Sequence, residues 1–106
     1  MSSENFIENL KRYGILAKGD WRLYPFGTKI KISDATIESI DFDALQRWRI
    51  KELTIENSKI SKIKFSKQND VKIYFTKCDF LDQVFALECN FEKEVEFVGC
   101  SFEKEV

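Results

Sequence analysis

Cys78, Cys89 and Cys100 stand eleven residues apart, and this spacing constrains the fold most because other residues keep the same step. Phe80, Phe91 and Phe102 follow each cysteine by two positions, and Val84, Val95 and Val106 recur at the same interval. Extending the register backward adds Ile73 and Phe75. Within one unit the apolar order is h-x-h-x-x-small-x-h, as in Val95, Phe97, Cys100 and Phe102. The same order recurs without cysteine in Leu53, Ile55, Ser58 and Ile60, and in Ile30, Ile32, Ala35 and Ile37, so the repeat spans from about residue 30 to the C-terminus. Two stretches break it: DALQRWRI at 43–50 reads as an inserted helical turn, and SKQND at 66–70 as a polar loop.

Three folds generate such a pattern. A helix of hendecads would use Phe80, Val84, Leu87, Phe91, Val95, Val98, Phe102 and Val106, which step by four and three. Those residues are mostly Phe and Val, which favour strands, and Gly99 would interrupt the helix. A leucine-rich repeat fits Ile50, Leu53, Ile55, Ser58 and Ile60 once, but that family needs periods of roughly 20 to 29. The third reading divides each eleven into strand steps of five and six, with the aromatic residue and the small residue two before it pointing inward.

Here a resemblance enters. Val95-Glu-Phe-Val-Gly, Cys100-Ser-Phe-Glu-Lys and Cys89-Asn-Phe-Glu-Lys resemble the A(D/N)LXX unit of the pentapeptide-repeat family, with Phe at the central position and Cys or Val at the small one. Cys78-Asp-Phe80 and Cys89-Asn-Phe91 carry the Asp or Asn that the family prefers after the small residue. The chain departs from the pattern by one extra residue in every second unit, by Phe in place of Leu, and by degenerate units before residue 70. The resemblance implies an all-β solenoid: a right-handed, quadrilateral β-helix of about three coils in which residues 22 apart stack. The expected inward core is Ile73, Phe75, Cys78, Phe80, Cys89, Phe91, Val95, Phe97, Cys100 and Phe102.

Such a stack has two ends, and strand edges left unpaired there invite association. Residues 1–29 are expected to form an N-terminal cap over the β-helix of 30–106. Within the cap, ENFIENLKRY at 4–13 reads as a short capping helix, with Ser3 as N-cap and Gly14 at C′. Leu16, Trp21, Leu23 and Phe26 add an aromatic lid, with a turn at Pro25 and Gly27. The C-terminal end reads as bare, since the sequence stops at Val106 inside a unit. Either more repeats follow, or two copies meet there.

Composition narrows the function. The chain of 106 residues is the size of one domain, and its 43% hydrophobic content excludes disorder. The three cysteines form no metal-binding spacing, and the chain has no His to complete a tetrahedral set, so they read as reduced core thiols and no cofactor or metal is expected. Without His the commonest general base is missing too, and paired carboxylates such as Asp41 and Asp43, or Asp79 and Asp82, read as turn residues. No enzymatic activity is expected. A net charge of −1 gives no field to hold a polyanion, so no direct nucleic-acid binding is expected. With neither an apolar run of roughly 20 residues nor a secretory signal, the expectation is a cytoplasmic chain away from membranes. Charge is uneven: residues 59–77 hold six Lys against one Asp, a net +5, and residues 78–106 hold eight acids against two Lys, a net −6. The acids read as a ring around the last coil. The expected function is a non-enzymatic scaffold presenting a protein-interaction or self-association surface, with Phe102 and Val106 at the C-terminal end, where a homodimer would form, and Trp21 and Tyr24, together with Phe26 and Trp48, as a second candidate patch. The alternative that the resemblance implies is a DNA-mimicking modulator of DNA gyrase or topoisomerase.

Overall fold

A computed structural model of the chain describes residues 8–23, 28–82, 84 and 88–103, with all their side chains except those of residues 8, 9 and 20–23. It is a β-solenoid of about three turns, built mostly from parallel strands. The long strand β2, Lys29–Asp41, starts two parallel ladders at once. Its first half pairs with β3, Glu52–Glu56, which pairs with β6, Lys72–Thr76, and then β9, Val95–Val98. Its second half pairs with β4, Lys59–Lys64, followed by β7, Asp79–Phe80, and β10, Ser101–Phe102. A third, shorter ladder joins β5, Gln68–Asn69, to β8, Asn90–Phe91.

This pairing stacks the four copies of the apolar pattern residue on residue. Ile30, Leu53, Ile73 and Val95 form one inward row, and Ile32, Ile55, Phe75 and Phe97 the next. Ile37, Ile60, Phe80 and Phe102 form a third. The coil length varies around the expected 22: Ile30 to Leu53 spans 23 residues, Leu53 to Ile73 spans 20, and Ile73 to Val95 spans 22. In the second and third rows the upper two residues are aliphatic and the lower two aromatic. Phe75 and Phe80 are buried and meet edge to face at 5.0 Å.

Between the first two ladders the chain turns a corner at the same place in every coil. Asp34, Asn57, Lys77 and Gly99 all adopt left-handed backbone, with φ of 52°, 50°, 53° and 63°. Gly, Asn and Asp tolerate this conformation, and Lys does so at a cost. The Asn57 amide donates to the Asp34 carboxylate above it at 2.6 Å, joining two corners directly.

The interruptions have structures of their own. Helix α2, Phe42–Arg47, is capped by the Asp41 carboxylate, which accepts from the Asp43 amide. It buries Phe42, Ala44 and Leu45. The ring of Phe42 stacks on Phe65 at 5.0 Å, and Phe65 meets Phe91 edge to face at 5.1 Å. The segment 66–70, expected as a polar loop, instead contributes β5 and buries Asn69. Burial is possible because the Asn69 side chain accepts from the Ser66 amide and donates to the carbonyls of Ser66 and Asn90.

At the N-terminal side, α1 covers Glu8–Lys11 and the turn after it ends at Gly14, whose φ is +81°; Ser3 and the part of the expected helix before Glu8 lie outside the described residues. A side chain at Gly14 would meet the Ala44 Cβ at 2.6 Å and the Asp41 carbonyl at 2.8 Å, so only glycine fits. Residues 15–23, expected as part of an aromatic lid, form strand β1, Ile15–Leu23, antiparallel to β2. Lys18 and Gly19 fall where the pairing shifts register, and such an irregularity hides the strand periodicity in the sequence. Ile30 and Ile32 pair with β1 and also with β3. A strand has two edges, so β1 lies on the edge of β2 that faces away from the coils. No helix among the described residues is long and apolar enough to cross a membrane.

Candidate functional site

At three of the four corners a short side chain closes the corner from inside. The Ser58 hydroxyl donates to the Glu56 carbonyl at 2.8 Å and accepts from the Ala35 amide at 3.1 Å. One coil on, the Cys78 thiol donates to the carbonyls of Ile55 and Thr76 at 3.3 and 3.4 Å. The Cys100 thiol does the same toward Phe75 and Val98, at 3.4 and 3.6 Å. At these three corners the small position holds a short donor as well as a small volume, whereas Ala35 in the first coil supplies only its backbone amide to Ser58. Burial pushes the Cys78 thiol up to about 11, which leaves it protonated and unreactive at neutral pH. None of the three cysteines forms a disulfide.

A polar hub ties α2 to β5. Gln46 donates through Nε2 to the Gln68 carbonyl at 3.0 Å and accepts through Oε1 from the Asp70 amide at 2.9 Å. A parallel strand would offer those same two groups to the free edge of β5, so the carboxamide takes the place of a peptide unit. The Ser66 hydroxyl accepts from Gln46 Nε2 and donates to Asp43, and with help from Lys64 at 3.4 Å it holds that carboxyl below the usual carboxylate range. Asp70 lies between Lys51 and Lys93, at 3.7 and 3.8 Å. These groups satisfy one another, and Asp43, Gln46, Lys64, Ser66 and Gln68 line an open surface cavity.

The last coil differs. The carbonyls of Glu94 and Val98 accept from the amides of Ile73 and Lys77. The amides of Val95 and Phe97, one residue out of phase, therefore point to the opposite edge. On the second ladder the amides of Ser101 and Glu103 donate to Cys78 and Phe80, which turns the Phe102 amide outward in the same way. Among the described residues no strand pairs with these edges. Phe97 and Phe102, expected in the core, are 40% and 38% exposed, and Val98 is 54% exposed. Among the described residues their rings have a neighbouring coil on one side only: Phe97 stacks on Phe75 at 5.2 Å and Phe102 on Phe80 at 4.9 Å. Of the other expected core residues, Ile73, Phe75, Cys78 and Phe80 are buried, and Phe91, Val95 and Cys100 are half-buried against the core. Cys89 is half-buried just ahead of β8.

Exposed carboxylates surround this edge. Glu92 follows β8, Glu94 and Glu96 lie at β9, and Glu103 follows β10. On the outer face above them charge alternates down the ladder: Lys29 opposes Glu52, and Glu52 opposes Lys72. Glu94 comes next, and its carboxylate accepts from the Tyr74 hydroxyl at 3.0 Å, which raises that phenol above its ordinary range. Of the expected interaction residues, Phe102 lies on this edge. The Trp21 backbone is in β1 opposite Ile32; its side chain, Tyr24 and Val106 lie outside the described residues. Trp48, expected with Trp21, Tyr24 and Phe26 in an aromatic patch, is 48% exposed and meets Tyr13 edge to face at 5.9 Å, with the Arg12 guanidinium 5.4 Å from its ring.

In comparison with known proteins the chain matches no family model, no curated protein and no solved structure.

Proposed function

We propose that this chain is a non-enzymatic solenoid scaffold that binds a protein partner by strand addition at the β9–β10 edge. The observation that carries this reading is the asymmetry of the two ends. β1 covers the edge of β2, whereas β9 and β10 present outward amides beside exposed Phe97, Val98 and Phe102. Unpaired edges with an apolar row are the standard substrate of strand addition. A non-catalytic role fits an interior filled by Ile, Leu and Phe side chains and a chain without His.

The finer architecture belongs to the same reading. Inward residues fall in pairs around the second coil (Leu53 and Ile55, Ser58 and Ile60, Ile63 and Phe65, Asn69 and Val71), which supports a four-sided section like that of the pentapeptide-repeat family. Right-handed winding is favoured because parallel crossovers are almost always right-handed. Alternation of Lys29, Glu52 and Lys72 argues against the DNA-mimic alternative, which needs like charges stacked along one face.

Hydrogen exchange on the isolated chain tests the proposal. The amides of Val95, Phe97 and Phe102 should exchange freely while those of Ile73 and Lys77 are protected, and a neutral strand peptide, Thr-Gln-Ile-Gln-Ile-Ser, should slow those of Val95 and Phe97. Protection of the edge amides in the isolated monomer, or no slowing by any strand peptide, overturns it.

A further inference from the structure

The proposed edge has a chemistry as well as a geometry. In the first ladder an inward apolar residue alternates with an outward polar one along β2, β3 and β6, and in the row of Lys29, Glu52 and Lys72 the sign of the outward charge reverses from coil to coil. Lys29 lies over Glu52, Glu52 over Lys72, and Glu94 continues the row next to Val95, which pairs with Ile73. One row along, Lys31 reaches Glu56 at 3.4 Å, and Glu96 pairs with Tyr74. The strand missing below β9 would therefore meet two carboxylates outside and Val95 and Phe97 inside. Opposite charges directly across a strand pair stabilise it, and like charges oppose it.

We infer that the partner segment is an extended strand of alternating apolar and basic residues, its apolar side chains covering Val95 and Phe97 and its cations facing Glu94 and Glu96. This rests on the strand-addition reading above and narrows it. A second copy docking through the same edge would set Glu94, Glu96 and Glu103 of one molecule against those of the other. That acidic rim works against a symmetric dimer and favours a basic strand. The chain itself contains a segment of this composition, Thr28-Lys29-Ile30-Lys31-Ile32-Ser33, whose lysines face the acidic positions of β3 from above; both edges of its strand are already paired.

The test compares three labelled hexapeptides against the full chain by fluorescence anisotropy: Thr-Lys-Ile-Lys-Ile-Ser, the neutral Gln peptide, and Thr-Glu-Ile-Glu-Ile-Ser. The lysine peptide should bind at least tenfold tighter than the glutamate peptide, and its advantage should shrink between 0.05 and 0.5 M salt, as screening requires. In the double variant Glu94→Lys, Glu96→Lys the order of the charged peptides should reverse, with the unfolding midpoint reporting that the variant is folded. Phe102→Lys should weaken all three. Equal binding of the peptides would leave strand addition standing and overturn the charge assignment. Failure of all three in a chain that stays monomeric by light scattering would overturn the strand-addition reading as well. A dimer at neutral pH that excludes the peptides would make the occupant a second copy and overturn this inference.

Discussion

Phe80 shows what one residue contributes to a stacked core. It is buried, meets Phe75 at 5.0 Å and Phe97 at 5.6 Å, and lies nearly parallel on Phe102 at 4.9 Å. Phe80→Ala should cost about 3 to 5 kcal/mol of stability, read from the shift of the urea midpoint. Phe102→Ala, with a coil on one side only, should cost roughly half as much because less area leaves water when it folds. Cys78 makes a different prediction. Its thiol titrates near 11 in the folded protein, against an ordinary value of 9.0, with burial as the main cause. The folded state thus keeps a proton that the unfolded chain loses first. That contribution to stability is complete below pH 9 and declines as the pH rises toward 11. Comparing the wild type with Cys78→Ser isolates the effect, since serine can make the corner's hydrogen bonds as Ser58 does without ionising in this range. The midpoint of the wild type should fall more steeply between pH 9 and 11 than that of the variant.

Gln46 carries the argument at the scale of elements. Its carboxamide serves the Gln68 carbonyl and the Asp70 amide, so α2 can stand where a strand would otherwise pair with β5. Gln46→Glu keeps the acceptor for Asp70 but removes the donor and sets a carboxylate against the carbonyls of Phe42 and Gln68. It should cost about 1 to 3 kcal/mol, more than Gln46→Ala in the same denaturation series, because charge is brought up to unsatisfied acceptors. Nothing in the sequence around residue 46 announces this role. The helical break at 43–50 is legible from its lost alternation, but a side chain that imitates a peptide unit is visible only once α2 and β5 are adjacent. The inward rows were legible for a simple reason: a solenoid returns to the same wall at a nearly fixed interval, so Ile30, Leu53, Ile73 and Val95 repeat in sequence as they do in space. β1 was not legible, because it pairs once, antiparallel and with register shifts, outside any repeat. The exposure of Phe97 was hidden for the opposite reason, and that of Phe102 was legible only from its expected place at the C-terminal end. The repeat gives them the same pattern as Phe75 and Phe80, and only position in the stack separates buried from exposed.

For the molecule as a whole, β1 decides how many edges are available. Beneath it β2 carries Lys29 and Lys31 outward between Ile30 and Ile32, the same alternation that suits the acidic edge of β9. If that edge were uncovered, one molecule could continue the coil of the next, head to tail, and such a contact does not close on itself. Ala17 is buried where β1 lies opposite Ile37. Ala17→Glu would put a charge there without a partner and should detach β1 locally. Light scattering should then show a mass that grows with concentration and no defined endpoint, while the wild type shows no such growth. Gly14→Val, which clashes with Ala44 at the start of β1, should act in the same direction by a different route. Adding Glu94→Lys and Glu96→Lys to the Ala17→Glu chain should stop the growth, because lysines would then face lysines across the new junction. A detached β1 without growth would mean that an open, charge-matched edge is not sufficient for assembly in this solenoid. Growth that survives the charge reversal would trace it to exposed apolar surface instead.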